Sequence, residues 1–203
     1  DPIDESSYSK FLSYGYKSIR KNALCPGTLS LERHRLLWLY LNNETNILYV
    51  KTLDDYNSLP NKVITSFKAV NETFSYKYVF KTDDDQNLIN EKFFEILYNL
   101  LKKTGPPIHY GGHIVEVNNP YLSEYYKIHP ELPKELPIQI TDYCSGRFYF
   151  LSHKAIQNLL TKREAIIKEF LEDYAIGYNL HKFFKNNILK LNTNKVFVDI
   201  PPF

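Results

Sequence analysis

The sequence predicts a single α/β domain that spans residues 1–203. Apolar stretches of strand length alternate along the chain with amphipathic stretches of helix length, and this alternation is typical of an α/β fold. A chain of 203 residues has the ordinary size of one domain. No repeat, low-complexity segment or linker divides it. We therefore expect one hydrophobic core, with helices packed on a central sheet.

The predicted elements follow one another in a regular order. Short apolar stretches are predicted as strands, namely residues 36–40, 47–50, 75–80, 108–117, 148–151 and 196–200. Helices are predicted where apolar side chains recur every three or four residues, in the segments 63–70, 93–101, 156–170 and 176–184. The segment 118–137 contains four prolines, and we expect it to form an irregular surface loop.

Composition and motifs exclude several classes of protein. A formal charge of +2 gives no electrostatic reason to expect nucleic-acid binding. The apolar run near residues 36–41 is far shorter than the roughly 20 residues that span a bilayer. Two cysteines cannot form a disulfide framework. The sequence also lacks a Walker-type glycine loop, a dinucleotide fingerprint, a zinc-binding His-Glu-x-x-His and a hydrolase Gly-x-Ser-x-Gly.

Three consecutive carboxylates follow a predicted strand. Asp83, Asp84 and Asp85 come directly after the stretch that ends at Thr82. Ligands of α/β proteins bind at the carboxyl ends of strands, and a cation relieves the repulsion between crowded carboxylates. Oxygen ligands suit Mg²⁺ or Mn²⁺, which share their coordination with phosphate oxygens. The pattern predicts a metal-bridged nucleotide diphosphate, and an acidic turn on a solvated surface is the alternative.

A second acidic pair, Glu172-Asp173, begins a predicted amphipathic helix. The helix dipole and capping favour acids at this position, which is a complete structural explanation. Such a carboxylate would also remove the proton from an acceptor hydroxyl in a group transfer. Upstream, Gly146 could allow a ligand to approach the backbone closely, or could simply form a turn.

Four segments in this order carry a family resemblance. Residues 54–62 read Asp-Asp-Tyr-Asn-Ser-Leu-Pro-Asn-Lys, which resembles Asp-x-Tyr-x-Asn-Leu-Thr-x-Lys with departures at Ser58 and Pro60. Residues 81–85 match Lys-x-Asp-Asp-Asp, and residues 143–152 resemble Tyr-Cys-x-Gly-x-x-Tyr-x-Leu-Ser. Residues 172–177 resemble Glu-Asp-Val-x-x-Gly. Together the segments resemble the β-1,3-galactosyltransferase and Fringe-type glycosyltransferases.

The resemblance implies a GT-A fold, a nucleotide-sugar-binding α/β domain with a mixed, mostly parallel central sheet flanked by helices. It also implies a divalent cation, Mn²⁺ or Mg²⁺, held by Asp83 and Asp85, with Asp85 as the direct ligand. Asp173 would be the general base and Glu172 the fallback base. The donor-binding residues that it implies are Asp83, Asp84, Lys81, Tyr56 and Lys62. Asp84 would face the ribose or the sugar.

The expected activity is the transfer of a sugar from a nucleotide-diphosphate donor, a UDP-sugar above all, to a hydroxyl of a glycan or glycoprotein, with inversion. The alternatives are a retaining glycosyltransferase of the same fold and a non-catalytic carbohydrate-binding or interaction domain. The expected location is the Golgi lumen for a cellular family member and the host cytoplasm for an enzyme encoded by a large virus.

Two further features bear on the expected site. The family usually carries a His near its C-terminal end that completes the metal site, but no His follows His181 here. The proline-rich segment 118–137 could cover the acceptor side, where Tyr121, Tyr125 and Tyr126 could stack on sugar rings.

Overall fold

A computed structural model describes residues 40–42, 47–50, 52–53, 55–90, 92–102 and 105–200. By their internal contacts the residues separate into two compact units. The first unit contains Asp1–Phe74 and Arg163–Leu171, and the second contains Ser75–Lys162 and Glu172–Phe203. The single domain over residues 1–203 stays a prediction.

The described elements alternate between strands and helices. The strands are β1 (Tyr40–Asn42), β2 (Ile47–Tyr49), β3 (Tyr78–Thr82), β4 (Gln86–Leu88), β5 (Tyr110–Val117), β6 (Tyr121–Ser123), β7 (Leu136–Ile138), β8 (Thr141–Ser152), β9 (Leu189–Lys190) and β10 (Phe197–Asp199). The α-helices are α1 (Leu59–Thr73), α2 (Phe93–Lys102), α3 (His153–Leu160), α4 (Arg163–Ile166), α5 (Glu172–Asn179) and α6 (Lys182–Lys185). Short 3₁₀ turns lie at Tyr56–Ser58, Tyr125–Lys127 and Thr193–Lys195.

In the first unit, β1 and β2 form an antiparallel hairpin, and α1 follows a capped 3₁₀ turn. The Asp55 carboxylate accepts a hydrogen bond from the Ser58 N–H at 2.8 Å. Pro60 stands in the first turn of α1, where its missing N–H costs nothing. Ile64 and Phe67 are buried along one face of the helix. The helix predicted for residues 63–70 is therefore confirmed, and it begins four residues earlier, at Leu59.

In the second unit, four strands form a mixed sheet in the order β3-β8-β5-β9. Strand β8 runs antiparallel to both β3 and β5, whereas β9 runs parallel to β5. The predicted α/β class and the mixed, helix-flanked sheet are confirmed. The sheet of these four strands is not mostly parallel, however, because the long β8 runs opposite to both of its neighbours.

Alternate side chains of β8 lie on opposite faces of the sheet. Phe148 and Phe150 belong to one buried cluster with Phe93 and Leu97 of α2, and burial of each such side chain contributes about 1.5–3 kcal/mol. Tyr149, between them in sequence, hydrogen-bonds to Glu172 of α5. Helices α2 and α5 therefore meet β8 from opposite faces, and one of these faces carries the candidate site.

Strand β8 has a long irregular bulge opposite β5. Gly112 of β5 pairs with Tyr149, whereas Ile114 pairs with Cys144. Two steps along β5 thus correspond to five steps along β8, which leaves residues 145–148 out of the ladder with β5. Bulges re-aim backbone groups and are common beside active sites. The predicted strand 148–151 is only the end of a 12-residue strand.

Three other sequence predictions differ from the structure. The segment 118–137, expected to be irregular, contains the antiparallel hairpin β6-β7. Pro137 is tolerated in β7 because this strand pairs with β6 alone among the described strands. The single helix predicted at 156–170 is split into α3 and α4, and the one predicted at 176–184 is split into α5 and α6.

No helix of the described residues is long and apolar enough to cross a membrane.

Candidate functional site

The ammonium group of Lys81 lies at the centre of the acidic residues. Its Nζ donates to Asp83 Oδ1 at 2.5 Å, to Glu172 Oε2 at 3.1 Å and to the Gly146 carbonyl at 3.0 Å. These three acceptors match the three hydrogens of an ammonium group. Burial lowers the pKa of Lys81, but the charges and hydrogen bonds of Glu172 and Asp83 outweigh it and raise the pKa overall. Lys81 is therefore a charged counter-ion within the site.

Glu172 is buried, and both of its carboxylate oxygens have protein partners. One oxygen accepts from Lys81, and the other accepts a short hydrogen bond from the Tyr149 hydroxyl. The side chain is only 8% exposed. Burial raises its pKa, while the nearby Lys81 opposes that rise. A carboxylate held in this way positions its neighbours, so Glu172 is poorly placed to act as the fallback base.

Asp173 stands next to Glu172 in the first turn of α5. Its Oδ1 accepts from the Tyr174 N–H at 2.7 Å, and its Oδ2 accepts from the Gly146 N–H at 3.0 Å. Burial is the largest influence on Asp173 and raises its pKa, whereas the two backbone hydrogen bonds and Lys81 lower it. The carboxylate is thus fixed in position and more basic than an ordinary aspartate.

The missing side chain of Gly146 leaves a space between Asp83 and Asp173. A Cβ at this position would lie 3.4 Å from Asp83 Oδ2 and 3.7 Å from Asp173 Oδ2. The backbone of Gly146 is not in the left-handed region, so a turn does not explain the glycine. The bulge of β8 frees the Gly146 N–H and C=O from the ladder, and both now hold site side chains. The strand, the acidic turn and α5 therefore meet at Gly146.

Asp84 and Asp85 form the turn between β3 and β4, and both are exposed. The Gln86 amide donates to Asp85 Oδ1 at 3.0 Å and to Asp199 Oδ1 at 2.8 Å. Arg147 also donates to Asp199, at 2.7 Å. Asp199 belongs to β10, so this strand brings a carboxylate to the side of Asp85, where Gln86 bridges the two. Within the described ranges, no three His, Cys, Asp or Glu side chains converge as a metal site would require.

The sequence that forms this site matches a known protein family. Residues 38–185 match the galactosyltransferase family model, and this range is more than half of the chain. The chain belongs to the galactosyltransferase family. A search of curated protein sequences finds no match. Family membership makes the protein a glycosyltransferase, with a nucleotide sugar as donor and a glycan as acceptor.

In this galactosyltransferase-family protein the predicted site residues fall into three groups, one of which is the exposed pair Asp84 and Asp85. Lys81, Asp83 and Asp173 come together around Gly146, although 91 residues separate Lys81 from its partner Glu172. Tyr56 and Lys62 lie in the first unit, in the 3₁₀ turn and in α1 respectively, and both are half-buried. Their donor-binding roles stay predictions.

Sequence reasoning missed two structural features of the galactosyltransferase-family site. The first is the Lys81–Glu172–Tyr149 network. Each member lies in a family-like segment, but the three segments are distant in sequence, so the sequence did not show that these side chains meet. The second feature is a close contact between α5 and β8, since a Cβ on Gly177 would overlap Tyr143 and lie 2.7 Å from its Cα. The family-like glycine at position 177 was a signal for this contact, because only glycine allows backbones to approach so closely.

Proposed function

We propose that this protein transfers a sugar from a UDP-sugar to a hydroxyl of a glycan or glycoprotein, with a divalent cation at the diphosphate and with inversion of the sugar. The observation that carries the proposal is the space at Gly146, which Asp83 borders on one side and Asp173 on another. An acidic turn suited to a cation and a half-buried base thus border one space, as an in-line displacement requires.

The residues present fit a divalent cation in charge and in donor type. Asp83 and Asp85 offer carboxylate oxygens, the ligands that Mn²⁺ and Mg²⁺ prefer. The side chain of Asp83 is 43% exposed, so one of its oxygens remains accessible although the other binds Lys81. When bound, the cation would neutralise charge on the departing diphosphate. Asp84 would face the ribose or the sugar, while Lys81 would hold Asp83 in place.

Asp173 would act as the general base. As the acceptor oxygen bonds to the anomeric carbon, the bond from that carbon to the diphosphate oxygen breaks, and the acceptor proton passes to the Asp173 carboxylate. Burial supports this role because it raises the pKa of Asp173 and makes its carboxylate a stronger base. Its two backbone hydrogen bonds would hold the base on one side of the reacting sugar. Attack from that side, opposite the leaving group, would invert the configuration.

The substitution Asp173→Asn tests the base. We expect the transfer rate to fall by about 10²- to 10⁴-fold, the usual contribution of a positioned base, with UDP affinity close to that of the wild type. Asp142→Asn is the matched control, because Asp142 is an exposed aspartate on β8. A full transfer rate in Asp173→Asn would contradict the assignment.

Calorimetry with UDP, in the presence and absence of Mn²⁺, tests the metal. The wild type should bind UDP more tightly with Mn²⁺, and Asp85→Asn should lose this difference while Asp142→Asn keeps it. Metal-dependent binding that survives in Asp85→Asn would show that the ion lies elsewhere.

The cellular location, the Golgi lumen or a host cytoplasm, stays a prediction.

A further inference from the structure

The hairpin β6-β7 is anchored to the helix that carries Asp173. Tyr121 of β6 pairs with Ile138 of β7. The next residue, Gln139, donates its N–H to the Tyr174 hydroxyl at 3.0 Å. Tyr174 directly follows Asp173 in α5. The hairpin that contains Tyr121 is therefore tied to α5, the helix that carries the proposed base.

Tyr125 presents a partly exposed ring that is already fixed in orientation. Its side chain and that of Tyr121 are each 49% exposed. The Tyr125 N–H donates to the buried Ser123 Oγ at 3.2 Å. Its ring stacks nearly parallel on the ring of His129, with 6.1 Å between centroids and 7° between planes. A ligand that contacts Tyr125 thus meets a rigid aromatic side chain, which loses little conformational entropy on binding.

Tyr143 adds a third aromatic ring, which is held against α5. Its ring meets that of Tyr174 edge to face, with centroids 5.9 Å apart. Burial first, and then the negative charge of Asp173, raise the pKa of both Tyr143 and Tyr125. Tyr121 contributes to the same rise at both residues. The charge of Asp173 therefore acts on both Tyr143 and Tyr125.

We propose that Tyr121, Tyr125 and Tyr143 form the acceptor subsite, in which their rings stack on a saccharide ring of the glycan acceptor, an inference that rests on the proposed function. A base acts within about 2.6–3.2 Å of the proton that it removes, so the acceptor hydroxyl lies next to Asp173. The tyrosines around it offer apolar ring faces with polar hydroxyl tips. A pyranose has the matching surface, since its C–H faces are apolar and its hydroxyls lie around the rim. A serine or threonine side chain of a peptide has no such face to cover the rings.

The test compares acceptors and tyrosine variants in the intact protein. The probes are a panel of methyl glycosides, whose small aglycone cannot itself stack, and a peptide containing serine and threonine. With a UDP-sugar accepted by the wild type, we expect methyl glycosides to be glycosylated. Tyr125→Ala should raise the acceptor KM roughly 3- to 10-fold, the loss expected for an aromatic contact, with UDP affinity unchanged. Tyr125→Phe, which keeps the ring, should restore most of the loss.

Tyr98→Ala is the matched control, because Tyr98 is 56% exposed on α2 and its ring contacts Lys102. This control should leave the acceptor KM as in the wild type. Transfer to the peptide but to none of the glycosides would overturn the inference. An acceptor KM that Tyr125→Ala and Tyr121→Ala both leave unchanged would overturn it as well. Failure of the proposed function can be distinguished from failure of the acceptor subsite alone. In the first case the wild type would bind no UDP in calorimetry, and both proposals would be wrong.

Discussion

Lys81 is the cation that balances the acidic side chains of the site, so its replacement by methionine tests the site's electrostatics. Methionine has nearly the length of lysine but carries no charge and no donor. In Lys81→Met, the buried Glu172 loses the cation that lies 3.1 Å from its Oε2. Because the pair is largely buried, at 18% and 8% exposure, removing one partner should lower the free energy of unfolding by about 3–5 kcal/mol.

Urea unfolding at about pH 8 measures this loss, and an unchanged m value confirms that the same surface is exposed. Lys68→Met is the matched control, because Lys68 faces Glu72 across 3.8 Å with both side chains 55% exposed. An exposed pair four residues apart on a helix is worth at most about 0.5 kcal/mol. The double variant Lys81→Met/Glu172→Gln should regain much of the lost stability, since glutamine carries no charge and can still accept from Tyr149. A loss below about 1 kcal/mol in Lys81→Met, or no recovery in the double variant, would refute the reasoning.

The stability loss should also depend on pH. The pKa of Glu172 is raised in the folded protein, so above the ordinary value of 4.5 the folded state binds more protons than the unfolded state. The free energy of unfolding therefore falls as the pH rises from about 4.5 to above the raised pKa of Glu172 in the folded protein. Lys81 opposes the rise in the pKa of Glu172, so Lys81→Met should raise that pKa further and steepen the fall. The difference between wild type and variant should be smaller near pH 5 than near pH 8, and a constant difference would contradict this account.

Two glycines give further predictions. Gly177→Ala should destabilise the protein by about 1–3 kcal/mol in urea unfolding, although alanine usually favours a helix, because its Cβ would overlap Tyr143. Gly105→Ala, where a Cβ would have no neighbour within 4 Å, is its control, and equal stability of the two variants would contradict the packing argument. Gly146→Ala should leave the unfolding midpoint nearly unchanged, because its Cβ makes only ordinary contacts of 3.4–3.7 Å. The same variant should lower kcat/KM by roughly tenfold or more, because the methyl group fills the space between Asp83 and Asp173 and displaces the reactants. An unaltered kcat/KM in Gly146→Ala would mean that the reaction does not use this space.

The parts of the fold that sequence periodicity predicted are those with a strong local pattern. Helix α2 and strand β5 lie almost where the sequence places them. Helix α2 buries Phe93 and Leu97 one turn apart, and β5 is buried at both of its ends. Strand β8 was predicted only from residue 148, since Ser145 and Gly146 resemble a turn. In the structure they form a bulge within the strand, and the partners that stabilise it, Lys81 and Asp173, lie far away in sequence.

In the candidate site, too, the residues that could be predicted are those marked by their neighbours in sequence, whereas contacts between segments far apart in sequence could not be predicted. The acidic triplet could be predicted because it follows an apolar strand, and Asp173 because it begins a helix within a family-like motif. The different environments of Glu172 and Asp173 could not be predicted, because they depend on contacts with Lys81, Tyr149 and the bulged strand. The role of Glu172 as fallback base stays a prediction.

The configuration of the first transferred product tests the central proposal most directly. A wild-type reaction with an α-linked UDP-sugar and a methyl glycoside can be followed by proton NMR, in which the anomeric coupling constant reports the new linkage. With Asp173 as base opposite the departing diphosphate, the product linkage should be β from its first appearance. An α-linked product would contradict the account, because retention does not place a proton-accepting carboxylate in that role.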